Sequence, residues 1–282
     1  MISGILRTNL ITSLTTILSG LCVLFGQEYK PDMVQGKPSF KWPAGKQVAI
    51  SLTFDDARLS QVDSGIPLLN RYDVNATFYI SPGNALLRLE AWKGAVAEGH
   101  EIGNHSVNHP CSGNFDWSRA KALEDYTLER MAAELDSAAR FIRNRLGVET
   151  RSFAYPCGQT FVGSGIGTQS YVPLVASMFE TGRGWLGEAP NDPVFFNKSQ
   201  LTAIELDGKT FDEVKKIIEA ARAGGKWIVF AGHETGSAGR QTTLLSTIEE
   251  LCRYASDPSS GIWIDNVHNV YSYVRSQVDG KY

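Results

Sequence analysis

Five histidines occur in the 282 residues, at positions 100, 105, 109, 233 and 268, and two stand four apart in His105-Ser106-Val107-Asn108-His109. Residues four apart share one face of a helical turn, a spacing that lets both imidazoles grip one ion. The pair follows a strand-like stretch at 100–104, which weighs against an incidental surface pair. A second group, Thr53-Phe54-Asp55-Asp56, closes an apolar, β-rich run. Strand neighbours point to opposite faces, so both carboxylates reach one site only where the chain leaves the strand. There one can bind a metal while the other handles a proton, the structural alternative being a turn or a helix cap. Third, Phe153-Ala154-Tyr155-Pro156-Cys157-Gly158 runs from a strand into a Pro/Gly turn, whose backbone N–H groups suit an oxyanion. Fourth, Ile228-Val229-Phe230-Ala231-Gly232-His233 ends a buried run on a histidine placed for general acid chemistry or for a structural role.

Such groups need a scaffold that gathers them. Strand-like runs lie at 48–54, 75–80, 151–155, 227–231 and 262–264. Helices are expected at 66–72, 211–223, 242–254 and 267–278, and the strongest at 119–146. In that helix Leu128, Met131, Leu135, Ala138, Ile142 and Leu146 step by three or four, and Gly147 holds the C-terminal cap position. Strands alternating with helices imply βα units around a parallel sheet. Seven or eight such units in about 235 residues favour an α/β fold closed into an irregular or incomplete (β/α) barrel. All four polar groups then fall at the carboxyl ends of strands, where barrel chemistry lies.

Lys and Arg number 27 and Asp and Glu 30, a net charge of −3 that lacks the basic excess nucleic acid calls for. Hydrophobic residues are 43% and charged residues 20%, as in ordinary globular proteins. Residues 1–26 read as a secretory signal: Arg7, then an apolar or small run at 10–26, then abrupt polarity at Gln27-Glu28-Tyr29-Lys30. Export to the periplasm or the exterior is expected. An uncleaved membrane anchor is the alternative, although the run falls short of the ~20 apolar residues a span prefers. Residues 27–45, with Pro31, Gly36, Pro38, Pro43 and Gly45, read as an extended segment, leaving 46–282 as one monomeric domain with no later membrane span. Beyond the signal only Cys111, Cys157 and Cys252 remain, enough for one bridge and a buried thiol.

The order TFDD, then Ala76-Thr77-Phe78-Tyr79, GNHSVNH, YPCG and a late apolar strand ending in His closely resembles the NodB-homology polysaccharide deacetylases, carbohydrate esterase family four. The resemblance covers about residues 46–274. It implies Asp56, His105 and His109 as metal ligands, Asp55 as catalytic base and His233 as general acid. The Cys157 N–H, beside Tyr155, would help hold the oxyanion. One carboxylate and two imidazoles suit Zn²⁺, with Co²⁺ or Mn²⁺ as alternatives.

Three positions depart from the family pattern. In the usual Arg-x-Pro-Tyr-Gly motif this chain has Ala154 and Cys157, so Arg183, in preference to Arg151, is expected to pair with Asp55. The motif whose Asp orients the acid histidine has no visible counterpart. Ala231 stands where Leu often precedes that histidine, and Trp185 is a candidate to line the acyl pocket instead. Cys111 and Cys157 flank the same metal position and are expected within about 7 Å, as a disulfide bracing the altered turn. The function implied is metal-dependent removal of acetyl groups from N-acetylated sugars of a polysaccharide. The alternatives are an O-acetyl esterase on xylan-like chains, a small-amide hydrolase, and a barrel that only binds glycans. Retention of Asp55 and all three ligand positions favours catalysis.

Overall fold

The computed structural model describes residues 40–278; the signal at 1–26 and most of the extended segment at 27–45 lie outside them. Eight parallel strands form the main sheet: β1 Val48–Asp55, β2 Thr77–Ile80, β3 Glu101–Asn104, β4 Ser152–Ala154, β5 Thr181–Arg183, β6 Ile204–Glu205, β7 Trp227–Gly232 and β8 Ile262–Ile264. Their order is β5-β4-β3-β2-β1-β7-β6, and β8 pairs with the first half of β1 while β2 pairs with its last three residues. Near its ends the sheet curls back on itself. Leu201 N–H donates to the Gly182 carbonyl at 2.7 Å and its own carbonyl accepts Gly184 N–H at 2.9 Å, tying β5 to the segment that leads into β6. The architecture is the expected incomplete (β/α) barrel.

The phase of β1 explains where the site lies. Val48, Ile50, Leu52 and Phe54 join one apolar cluster. Ala49, on the other face, packs with Trp227, Val229 and Ala231 of β7 and with Val267, Val270 and Val274 of the last helix. Ser51, Thr53 and Asp55 are in phase with Ala49. Small and polar side chains there leave room at the carboxyl end of the strand, and Thr53 Oγ1 donates to the Phe230 carbonyl at 2.7 Å.

Two helix expectations are corrected. The long helix runs Leu128–Leu146, not from 119, because extended backbone at Thr127 interrupts it and the Thr127 hydroxyl caps Arg130 N–H at 3.2 Å. Upstream lie only short turns, Asp116–Lys121 and Leu123–Asp125. Gly147 closes the helix in the left-handed conformation, φ 75°, as its position implied. The helix expected from 242 begins at Leu245, because Thr242–Leu244 pairs as a strand with Glu234–Gly236. The β-branched Thr242 and Thr243 favour that conformation.

His100 supplies a pH dependence of the fold. Its Nδ1 accepts Ala76 N–H at 3.1 Å, so Nε2 carries the proton and faces Asn70 Oδ1 at 2.9 Å. Burial lowers its pKa to about 4. Between that value and about 6.5 the unfolded chain binds a proton that the native state refuses, so stability falls as pH drops through this window. This group is expected to contribute a loss of roughly 3 kcal/mol across it. Urea melts at pH 7 and 4.5 should show a flatter pH dependence for His100→Gln than for the parent chain; equal dependence would refute the assignment.

Candidate active site

Where β1 ends, Asp56 and Ala57 adopt left-handed backbone, φ 74° and 54°. That turn brings two consecutive carboxylates to one cleft. It is held by Gln61 Nε2, which donates to the carbonyls of Asp55 at 2.6 Å and His233 at 2.8 Å, and by Asn84 Nδ2, which donates to the Asp56 carbonyl at 2.8 Å. The wholly buried Arg183 donates to Asp55 Oδ1 and, at 2.7 Å, to the Gly184 carbonyl. Burial pushes the Asp55 pKa up, but the positive charges of Arg183, His105 and His233 outweigh it and hold the carboxyl below its ordinary value. Asp55 is therefore ionised. Arg151, the other candidate partner, instead pairs with Glu180 at 3.0 Å.

His105 and His109 do not share a helical turn. The chain leaves β3 at Asn104 and loops, with left-handed backbone at Ser106 (φ 61°) and His109 (φ 51°). Side chains pin the loop: Asn104 Oδ1 accepts Ser106 N–H at 2.8 Å and Ser106 Oγ accepts His109 N–H at 3.0 Å. Glu134 of the long helix receives both the backbone and the side-chain N–H of Asn108. The two rings still converge, with Nε2 of His105 and His109 at 3.5 and 3.4 Å from Asp56 Oδ1. His105 donates from Nδ1 to the Ala154 carbonyl at 2.9 Å, which leaves Nε2 as its ligand atom. Burial and neighbouring His105 lower the His109 pKa to about 4, so the His109 ring is neutral near pH 7. A carboxylate oxygen and two imidazole nitrogens within 4.8 Å of one another fit a zinc-like divalent ion.

Cys111 and Cys157 are joined by a disulfide, Cα–Cα 6.1 Å, which removes both sulfurs from the competing ligand group they would make with His109. Cys157 (φ 55°) and Gly158 (φ 67°) form the left-handed turn after β4. A Cβ at Gly158 would lie 2.8 Å from Trp185 N, so only glycine lets this turn pack against Trp185. Losing the bridge, which closes a separation of 46 residues, should cost about 4 kcal/mol by chain entropy. Urea unfolding of Cys111→Ser/Cys157→Ser measures that loss; an unchanged midpoint would contradict it.

Asp207 is the site residue that sequence reasoning missed. Its Oδ2 lies 2.7 Å from His233 Nδ1, and its Oδ1 accepts His233 N–H at 3.1 Å and the Thr243 hydroxyl at 2.8 Å. Burial works to lower the His233 pKa, but the Asp207 hydrogen bond and the charges of Asp55, Asp207 and Asp56 raise it above its ordinary value. The Trp185 ring stands 4.8 Å from that of His233. Asp55, Asp56, His105, His109, His233, Cys157 and Trp185 all line one cleft of about 640 Å³. Two of the residues grouped with the oxyanion and substrate do other work. Arg183 lies buried behind Asp55, and Tyr155, though at the cleft wall, spends its hydroxyl on the Ser199 carbonyl at 2.7 Å.

Residues 43–163 match the sequence profile of the polysaccharide deacetylase family. That stretch, under half of the chain, is similar to this family. The peptidoglycan-N-acetylglucosamine deacetylase PgdA of Listeria monocytogenes is 32% identical over 94 residues, 33% of this chain and 20% of PgdA. YlxY of Bacillus subtilis, an uncharacterized protein, is 28% identical over 127 residues, 45% of this chain and 36% of YlxY. The chain thus spans about a third or less of the length of these relatives.

Solved structures share the deacetylase fold at low identity. T48 deacetylase with substrate has TM-score 0.54 and 19% identity, covering 83% of this chain and 93% of that one. A CE4 family pseudoenzyme from Bacillus anthracis has TM-score 0.55 and 15% identity, covering 80% and 66%. The family fold therefore hosts active and inactive proteins alike, and activity has to be argued from this chain's own residues.

Proposed function

We propose that this chain is a metal-dependent hydrolase that removes acetyl groups from N-acetylated sugars of a polysaccharide. The observation that carries the reading is one cleft holding an ionised Asp55 outside the ligand set, an Asp-His-His triplet, and a His233 whose pKa the Asp207 hydrogen bond raises. Asp56, His105 and His109 would hold the metal, which supplies Lewis-acid polarisation of the acyl carbonyl and a more acidic water. Asp55 takes the proton from the attacking water, and Arg183 fixes its orientation and charge. His233 delivers a proton to the departing nitrogen, with Asp207 stabilising the imidazolium. The Cys157 N–H faces the developing oxyanion and Trp185 walls the acyl methyl beside His233. The activity for which PgdA is named, on peptidoglycan, and the signal-like residues 1–26 support an exported protein, acting as a monomer through the domain at 46–282. Among the described residues no helix is long and apolar enough to cross a membrane.

The test is acetate release by zinc-loaded protein from chitin oligomers, peptidoglycan and acetylxylan. Release from the N-acetylated polymers is expected. Release from acetylxylan alone would replace the amide reading by an esterase, and release from none, with metal bound, would leave a glycan-binding barrel.

The His233–Asp207 pair also predicts a pH profile. The acid form of His233 is needed, and Asp207 raises its pKa, so Asp207→Asn should shift the alkaline limb of kcat to lower pH and reduce kcat at pH 8 about tenfold or more. An unmoved limb would remove Asp207 from this role.

A further inference from the structure

Resting on the deacetylase reading, we infer that the natural glycan carries a carboxylate close to the sugar that is deacetylated, and that Lys121 and Arg240 recognise it. The two acids that line the cleft, Asp55 and Asp56, are already engaged by Arg183, Arg58 and the histidines. Among the cleft's cations, Arg58 is also engaged, at 2.8 Å from Asp56 and 3.7 Å from Glu234. Lys121 and Arg240 line the same cleft from loops that follow β3 and β7, and neither meets a carboxylate among the described residues. On a chain with net charge −3, a cleft rim whose unpaired charges are all positive departs from the average surface.

A second feature of the cleft points to what lies beside that charge. Trp117 and Phe115 are 57% and 43% exposed and stack at 5.6 Å, forming an apolar shelf whose Trp117 ring is 5.9 Å from that of His109. Exposed aromatic surface on a groove marks a binding face. Lys121 Nζ sits 5.9 Å from the Trp117 ring centroid, at the edge of the shelf. A sugar lying on the shelf next to the reacting one therefore presents its substituents to Lys121. With Lys121 at the shelf edge and Arg240 on the lining of the same cleft, the charged donors available to the glycan favour a carboxylate over a hydroxyl.

The probe is peptidoglycan glycan strands freed of peptide, compared with the same strands after carbodiimide activation and borohydride reduction of their carboxylates to alcohols. Acetyl content is matched, so only the charge differs. Two readouts are needed: kcat/KM for acetate release by zinc-loaded protein, and calorimetric binding to the metal-free protein without turnover. Native strands should bind and react roughly 10- to 100-fold better at low salt, as hydrogen bonds to a charged group allow. The advantage should shrink as salt rises, and Lys121→Met/Arg240→Met should bring the native-to-reduced ratio close to one. Equal binding of the two strands, or a ratio unchanged in the double variant, would overturn the inference. Equal acetate release with equal binding leaves the deacetylase reading standing without it. Preferential binding of native strands with no acetate from either would uphold the charge recognition and remove the deacetylase reading.

Discussion

Asp55→Asn is expected to retain bound zinc and to lose about 10²- to 10⁴-fold in kcat, the scale of general base catalysis. Asp55 lies outside the Asp56, His105 and His109 group, so the amide leaves the ligand atoms in place. The variant also strips the wholly buried Arg183 of its counter-charge. Breaking a buried pair on one side costs about 3–5 kcal/mol, because the remaining charge has no compensation. Activity and stability should therefore fall together in Asp55→Asn, which alone does not separate catalysis from folding. The double variant Asp55→Asn/Arg183→Met separates them. Removing both charges should recover much of the urea midpoint while kcat stays low. Zinc content, midpoint and kcat measured on all three proteins decide the matter. Recovery of activity along with stability would show Asp55 to be only a structural partner, and loss of zinc from Asp55→Asn would place it among the ligands.

The legible parts of this site were those set by local pattern. The alternation of β1 puts Asp55 on the face of Ala49, Ser51 and Thr53, and a run of only eight residues suffices to show it. The histidine spacing named two residues whose rings do converge, but with the wrong local geometry. A helical turn is one way to converge two imidazoles four apart. Here left-handed Ser106 and His109, pinned by Asn104, Ser106 and Glu134, achieve the same convergence from a loop. Such side-chain caps compete with helix and leave no periodic trace.

Asp207 was missed because the strand before it, Ile204–Glu205, is two residues long, too short for a period-two signal. Its remaining trace is an acid followed by glycine after the apolar-alternating Ala203-Ile204-Glu205-Leu206, a pattern many turns share. Arg183 was reachable only as a preference. A charged side chain is buried when a distant partner compensates it, and Asp55 lies 128 positions away.

Two of the three cleft histidines, His109 and His233, should differ in what their truncation removes. His109→Ala removes one of three ligand atoms, so tightly bound zinc and activity should both be lost. His233→Ala should keep its zinc, because Nδ1 of His233 is committed to Asp207 and His233 stands outside the Asp56, His105 and His109 group. Its kcat on N-acetyl substrate should fall roughly 10²- to 10⁴-fold, since an amine leaves poorly without a proton. An activated aryl acetate, whose leaving group needs little protonation, tells the two defects apart. His233→Ala should hydrolyse it at close to the parent rate, whereas His109→Ala should be inactive on ester and amide alike. Asp207→Asn should fall between, because its His233 remains present but less basic. Zinc loss from His233→Ala, or equal loss on both substrates, would overturn the assignment of His233 as the acid.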